Sequence, residues 1–184
     1  MAKFDRYAEL LMAWQARFNL VGPATLPEVW TRHFADSAQL MRLAGPGVWV
    51  DLGSGAGFPG LVAAVLGAGP LHLIESTAKK AGFLRLVADE LALPQVTVHN
   101  ARVESLPAFP AATISARACA PLARLFDWGL RFATPETRWL LPKGAGFAAE
   151  LVDARRAFRF EAEPVPSLTH PDARIVSAFH VERR

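Results

Sequence analysis

The residues best suited to chemistry stand in one run, Val50-Asp51-Leu52-Gly53-Ser54-Gly55-Ala56-Gly57-Phe58-Pro59-Gly60. A glycine loop between a strand and a helix lets backbone N–H groups approach a ligand closely at the helix N-terminus. Gly55, Gly57 and Gly60 also satisfy G-x-G-x-x-G, the spacing of dinucleotide-binding loops. Charge separates the two ligand classes. Asp51 precedes the glycines, where a carboxylate repels a pyrophosphate but suits the ammonium and sulfonium of S-adenosylmethionine. The loop therefore favours the methyl donor, with a NAD-dependent oxidoreductase as the alternative. Glu75 ends the next apolar run and is placed to hydrogen-bond ribose hydroxyls, a role shared by both ligand classes. Further on, Val103 can pack on an adenine ring and Glu104 can accept a hydrogen bond beside it. Cys119 reads as a small packing residue, not as the thiolate nucleophile of a carbon methyltransferase. No His, Cys or carboxylate cluster has metal-ligand spacing, so no catalytic metal is expected.

These residues need elements to hold them. Phe4, Tyr7, Leu11, Trp14 and Phe18 recur at steps of three and four, the stripe of an amphipathic helix. A second helix is expected from Thr25-Leu26-Pro27-Glu28, where Thr25 and Glu28 have capping-box spacing, up to Gly45-Pro46-Gly47. Short apolar runs then alternate with helical stretches. Strands are expected at 48–52, 71–74, 96–99, 113–116, 138–141 and 175–181. Helices are expected at 61–66, 78–91, 122–132 and 145–158. Such alternation implies βαβ units and an α/β sheet.

Composition narrows the class. The chain has 184 residues, of which 52% are hydrophobic, and its one cysteine excludes a disulfide framework. A single domain is expected over 1–184, with 1–46 a helical extension on a core at 47–184. Leu52 to Ile74 carries no formal charge, yet six glycines and two prolines break it into turns, so no membrane span is expected. With no signal-peptide pattern at its start, the chain is expected to be cytoplasmic. A net charge of +3 is too small for binding polyanions by bulk charge. The whole excess falls in residues 107–143, which hold Arg117, Arg124, Arg131, Arg138 and Lys143 against Asp127 and Glu136.

Several segments together carry a resemblance. They are Trp14 with Phe18-Asn19-Leu20, Arg32-His33-Phe34-Ala35-Asp36-Ser37, the loop from Asp51 to Gly60, and Glu75-Ser76-Thr77-Ala78-Lys79-Lys80. Phe83-Leu84-Arg85, Arg102-Val103-Glu104, Ser115-Ala116-Arg117-Ala118 and Pro142-Lys143-Gly144 continue the match. In this order they make the chain similar to the RsmG family, also called glucose-inhibited division protein B. The resemblance implies a Rossmann-like class I methyltransferase fold, a mostly parallel seven-stranded sheet with helices on both faces and an N-terminal helical extension. It implies methyl transfer from S-adenosylmethionine to N7 of a guanine in the 530 loop of 16S rRNA, the small ribosomal subunit being the partner of a monomeric enzyme. A non-catalytic ribosome-assembly protein on the same fold is a further alternative.

Residue type and position assign roles, and for Gly53, Phe58, Val103, Glu104 and Arg117 the resemblance implies the same. Asp51, Gly53, Gly55, Gly57, Phe58, Glu75, Val103 and Glu104 would hold the cofactor. Arg117 would face both the methionine end and the incoming base, as a positioning residue with no general base needed. Arg32, His33, Lys79, Lys80 and Lys143 are the candidate RNA contacts. Cys119 stands where members often carry a larger apolar residue.

Overall fold

The computed structural model describes all residues, 1–184. Helix α1 (Ala2–Phe18) forms where the apolar stripe requires it, and buries Tyr7, Leu10 and Leu11. Asn19 ends it in the left-handed conformation, which asparagine tolerates better than most residues.

The second expected helix is not regular. Residues 23–28 form a 3₁₀ turn, 30–35 a π-type turn and 39–42 another 3₁₀ turn, with only the short α2 (Asp36–Ala38) between them. The capping box does not form, because the Thr25 hydroxyl bonds the Gly22 carbonyl and His33 instead. Pro27 has no N–H to give a helix ladder. Phe34 and Leu40 are still buried, whereas Trp30 is half exposed.

A seven-stranded sheet follows: β1 (Trp49–Leu52), β2 (Leu71–Ile74), β3 (Val96–His99), β4 (Thr113–Ala116), β5 (Arg138–Lys143), β6 (Phe158–Pro166) and β7 (Arg174–Arg183). Their order is β3-β2-β1-β4-β5-β7-β6, parallel from β1 to β5, with β7 antiparallel to both β5 and β6. Helices α3 (Gly60–Val65), α4 (Ala78–Glu90), α5 (Leu122–Gly129) and α6 (Phe147–Ala154) make the crossovers. Strands β1 and β4 are buried on both faces, as the centre of such a sheet must be.

Strand β6 corrects the helix expected to run to residue 158: α6 stops at Ala154 and the chain turns into an edge strand. Pro164 and Pro166 lie in it, which only an edge strand accommodates easily. Two apolar layers cover the sheet. One contains Tyr7, Phe34, Phe58, Leu61 and Phe83 with α1, α3 and α4. The other contains Phe126, Phe132, Trp139 and Phe158 with α5 and α6. No helix is long and apolar enough to cross a membrane.

Candidate active site

A cavity opens beyond the carboxyl ends of the parallel strands, where the strand order reverses between β1 and β4. Ligands of open α/β sheets bind at that point. Its volume is about 1500 Å³, above the roughly 300–1,000 Å³ that encloses one small molecule. It has room for a cofactor and a substrate base together. Gly53, Gly55, Phe58, Glu75, Val103, Glu104 and Arg117 line it, as do Arg32, His33, Lys80 and Lys143. Asp51, Gly57 and Lys79 do not.

Asp51 is buried behind the loop. Its Oδ1 accepts from the Ser115 hydroxyl at 2.6 Å and its Oδ2 from the Gly60 N–H at 3.3 Å. Ser115 in turn accepts from the Trp49 indole N–H at 2.8 Å, so one carboxylate ties β1 to both β4 and α3. Burial pushes the Asp51 carboxyl up from 3.8 to about 6, against the opposing pull of its Ser115, Ser54 and Gly60 bonds. Gly60 fits because nothing larger does: a Cβ would lie 2.8 Å from Asp51 Oδ2 and 2.3 Å from a Leu73 methyl. Gly57 likewise sits beneath the Tyr7 hydroxyl, on the side away from the cavity. Both residues shape the loop from outside the cavity.

Glu75 does reach the cavity. Its Oε2 accepts from the Gly55 N–H at 3.0 Å and its Oε1 from the Thr77 N–H at 2.7 Å. Each oxygen keeps a lone-pair direction for a ligand hydroxyl. Asn100 Nδ2 donates to the carbonyls of Glu75 and Ser76 at 3.0 and 3.1 Å, fixing the end of β2. Val103 is buried against the neighbouring wall while Glu104 stays exposed. The turn that carries them is held by Arg131, whose Nη1 donates to the carbonyls of Val103, Glu104 and Leu106 at 3.1, 2.7 and 2.7 Å. The sequence marked Arg131 only as part of the local positive excess, since a cation that caps distant carbonyls belongs to no motif.

Arg117 follows β4 and meets the 30–36 segment across the cavity. Its Nη1 donates to the Arg32 carbonyl at 2.9 Å and lies 3.5 Å from Asp36 Oδ2. Its Nη2 donates to His33 Nδ1 at 2.8 Å. The guanidinium carbon stands 5.1 Å over the Phe58 ring, and His33 stacks on the same ring at 5.0 Å. Tyr7 stacks on it too, at 5.3 Å. Phe58 is thus a hub between the glycine loop, α1 and Arg117. His33, expected among the RNA contacts, lines the cavity beside Arg117 with 7% of its surface exposed.

Lys143 is also engaged. Its Nζ donates to the Ala120 carbonyl at 2.9 Å and to Glu150 Oε2 at 2.8 Å, and that oxygen accepts the Leu122 N–H as well. The lysine therefore shapes the loop after Arg117. Cys119 sits in that loop with Sγ 3.5 Å from the Leu52 carbonyl. The residue is exposed, yet desolvation of the sulfur and the nearby Asp51 carboxylate push its thiol up to about 11, which leaves it protonated at neutral pH. Arg32 is exposed at the cavity edge and Lys80 half-buried beside it. Lys79 points away, with its ammonium 5.4 Å from the Phe18 ring centre.

Residues 1–176 match the family model described as rRNA small subunit methyltransferase G. The chain belongs to that family. A protein named Ribosomal RNA small subunit methyltransferase G from Sphingopyxis alaskensis is 51% identical over 153 residues, covering 82% of this chain and 66% of that protein. One of the same name from Paramagnetospirillum magneticum is 46% identical over 179 residues, covering 96% of this chain and 87% of that protein. The fold is that of class I S-adenosylmethionine-dependent methyltransferases. A crystal structure of one from Aquifex aeolicus superposes with a TM-score of 0.64 at 14% identity, covering 83% of this chain and 93% of that one. The methyltransferase uses S-adenosylmethionine, and the NAD-dependent alternative is set aside.

The donor set fits that cofactor. The glycine loop carries no Lys or Arg between residues 51 and 60 to receive a pyrophosphate, while Asp51 and Glu75 make its surroundings acidic. A side chain at Gly55 would meet only the Gly53 carbonyl, at 3.8 Å, so the loop presents open backbone there.

Proposed function

We propose that the methyltransferase transfers a methyl group from S-adenosylmethionine to N7 of a guanine in the 530 loop of 16S rRNA, with Arg117 holding the reacting groups. The observation that carries this reading is the convergence of Arg117, Arg32, His33 and Asp36 beside the glycine loop, at the mouth of a cavity sized for two ligands. The segments most specific to the family resemblance thus come together at one point in space.

Gly53, Gly55 and Phe58 of the loop, with Glu75, Val103 and Glu104, would hold the cofactor. When bound, it supplies an electrophilic methyl on a sulfonium. Guanine N7 is a neutral ring nitrogen with a free lone pair and no proton to lose, so its attack needs no general base. What remains is placement and exclusion of water. Arg117 offers Nε–H and one Nη2–H without a protein partner, which suits guanine O6 or a phosphate. Arg32 and Lys80 stand at the rim, where the RNA backbone would pass. Asp51 acts from behind, by fixing the loop. We propose that the enzyme works as a monomer on the small ribosomal subunit.

The test compares wild type, Gly55→Glu and Arg117→Ala. Gly55→Glu is expected to abolish S-adenosylmethionine binding in calorimetry, because it pushes a carboxylate into the cavity from a backbone position at φ 58°. Arg117→Ala is expected to bind the cofactor within a few fold and to lose methyl transfer. Full methylation by Arg117→Ala removes that residue from the mechanism.

A further inference from the structure

Arg117 owes its position to three partners, and one of them has a protonation state fixed by hydrogen-bond logic. Arg117 Nη2 can only donate, and it lies 2.8 Å from His33 Nδ1, so Nδ1 carries no proton. On the far side of the ring, His33 Nε2 lies 2.7 Å from Thr25 Oγ1. The Thr25 hydroxyl has one hydrogen, and it is directed to the Gly22 carbonyl at 2.7 Å. Oγ1 must therefore accept from Nε2–H. The chain runs Arg117 to His33 to Thr25 to Gly22, every donor matched to an acceptor, and only the neutral Nε2–H tautomer of His33 satisfies it.

We infer that His33 is a positioning residue for methyl transfer: a neutral imidazole that holds the Arg117 guanidinium toward the substrate base. This rests on the proposed role of Arg117 and deepens it. Three further observations agree. His33 is only 7% exposed, and its two ring nitrogens are taken up by Arg117 and Thr25. Burial, together with the charges of Arg117 and Arg32, lowers its pKa from 6.5 to about 4. Its ring stacks on Phe58 at 5.0 Å between centroids, which sets the plane in which its two nitrogens lie.

The choice of a histidine has a physical reason. Asp36 already stands 3.5 Å from the guanidinium. A second carboxylate in place of His33 would make the cluster net negative where the RNA must approach. A neutral acceptor orients the fork and leaves that charge available. Thr25 then has a defined task too: by accepting from Nε2–H it fixes which ring nitrogen is turned to Arg117. That gives the irregular 23–35 segment a reason to depart from a regular helix, since its turns bring Gly22, Thr25 and the His33 ring into line.

Substitutions at His33 separate positioning from packing. Asparagine places an acceptor oxygen where Nδ1 stands, glutamine reaches only the Nε2 position, and phenylalanine keeps the stack on Phe58 with no acceptor. His33→Asn is expected to retain kcat within about threefold. His33→Gln and His33→Phe are expected to lose roughly 10- to 100-fold in kcat, the size of one charge-assisted hydrogen bond, with the affinity for S-adenosylmethionine unchanged. A ¹⁵N NMR spectrum of the wild-type imidazole should show the neutral Nε2–H tautomer throughout pH 5.5–8.

Equal losses in all three variants, or none, would overturn the inference. So would an imidazolium or an Nδ1–H tautomer in the spectrum. Failure of wild type to methylate guanine N7 would instead overturn the proposed function, so the two failures are distinguishable.

Discussion

At the scale of single residues, the chain labels its ligand-facing side chains better than their supports. The glycine loop, Glu75 and Arg117 could be found from residue type and order, because each must carry a given chemistry at the end of a strand. Asp51 and His33 were visible as residues, but their placement was not. Sequence shows that a charge exists and cannot show that it is buried. Both supports have consequences for stability. The folded state raises the Asp51 pKa from 3.8 to about 6, so between those values it holds a proton the unfolded chain has released. Its contribution is favourable in acid and is lost as the pH rises through 6, by about 3 kcal/mol in all. His33 has the opposite sign. Its pKa is lowered from 6.5 to about 4, so its contribution is present at neutral pH and is lost as the pH falls through that window. The two slopes oppose one another in the wild type. Urea unfolding of Asp51→Asn and wild type from pH 4 to 6.5 should show the difference between them growing in the variant's favour as the pH rises. A difference independent of pH would mean that Asp51 titrates normally.

At the scale of elements, periodicity located α1, the parallel strands and their crossover helices, since each buries a continuous apolar face. It failed where the backbone answers to a distant side chain. Residues 30–35 take a π-type turn, and the Arg32 carbonyl within it is bonded by Arg117 from a strand end far along the chain. Strand β6 was missed although Phe158 to Glu163 alternate apolar and charged residues, because the helix was carried on to Phe158 and the closing prolines suggest a loop. The turn at 103–106 is the third example. Its sequence suggested adenine contacts, yet its shape depends on Arg131. Arg131→Ala leaves three carbonyls without their cation and is expected to weaken S-adenosylmethionine binding about tenfold, while kcat at saturating cofactor stays near wild type. Calorimetry and steady-state kinetics together check this. An unchanged affinity would show that the turn holds itself.

At the scale of the whole molecule, the N-terminal segments pack into the same apolar layer as α3 and α4 through Tyr7, Phe34 and Phe58. We propose that residues 1–184 are one domain and unfold in one cooperative step. Saturating S-adenosylmethionine at a hundredfold excess over Kd should raise its stability by about 2.7 kcal/mol. Two transitions in calorimetry, only one of them moved by the cofactor, would mean that the extension is a separate unit. The small net charge also takes on a clearer meaning at this scale. Arg117, Arg131 and Lys143 supply much of the excess in 107–143, and each is bonded to the protein's own carbonyls or carboxylates. The positive charge serves first to build the cavity. The free directions of Arg117, with Arg32 and Lys80 at the rim, are what remain for the RNA.

The central claim is methylation of guanine N7 in 16S rRNA, and one measurement meets it directly. Small ribosomal subunits lacking the modification are incubated with the enzyme and S-adenosylmethionine. The rRNA is then reduced with borohydride and treated with aniline, which cleaves the chain at the cationic N7-methylguanine. The account predicts cleavage at a single guanine in the 530 loop and, in a nuclease digest of untreated rRNA, a gain of one methyl mass in the fragment that holds that guanine, both absent with Arg117→Ala. A methyl gain without cleavage, or no methyl gain by a protein that binds both cofactor and subunit, would contradict it.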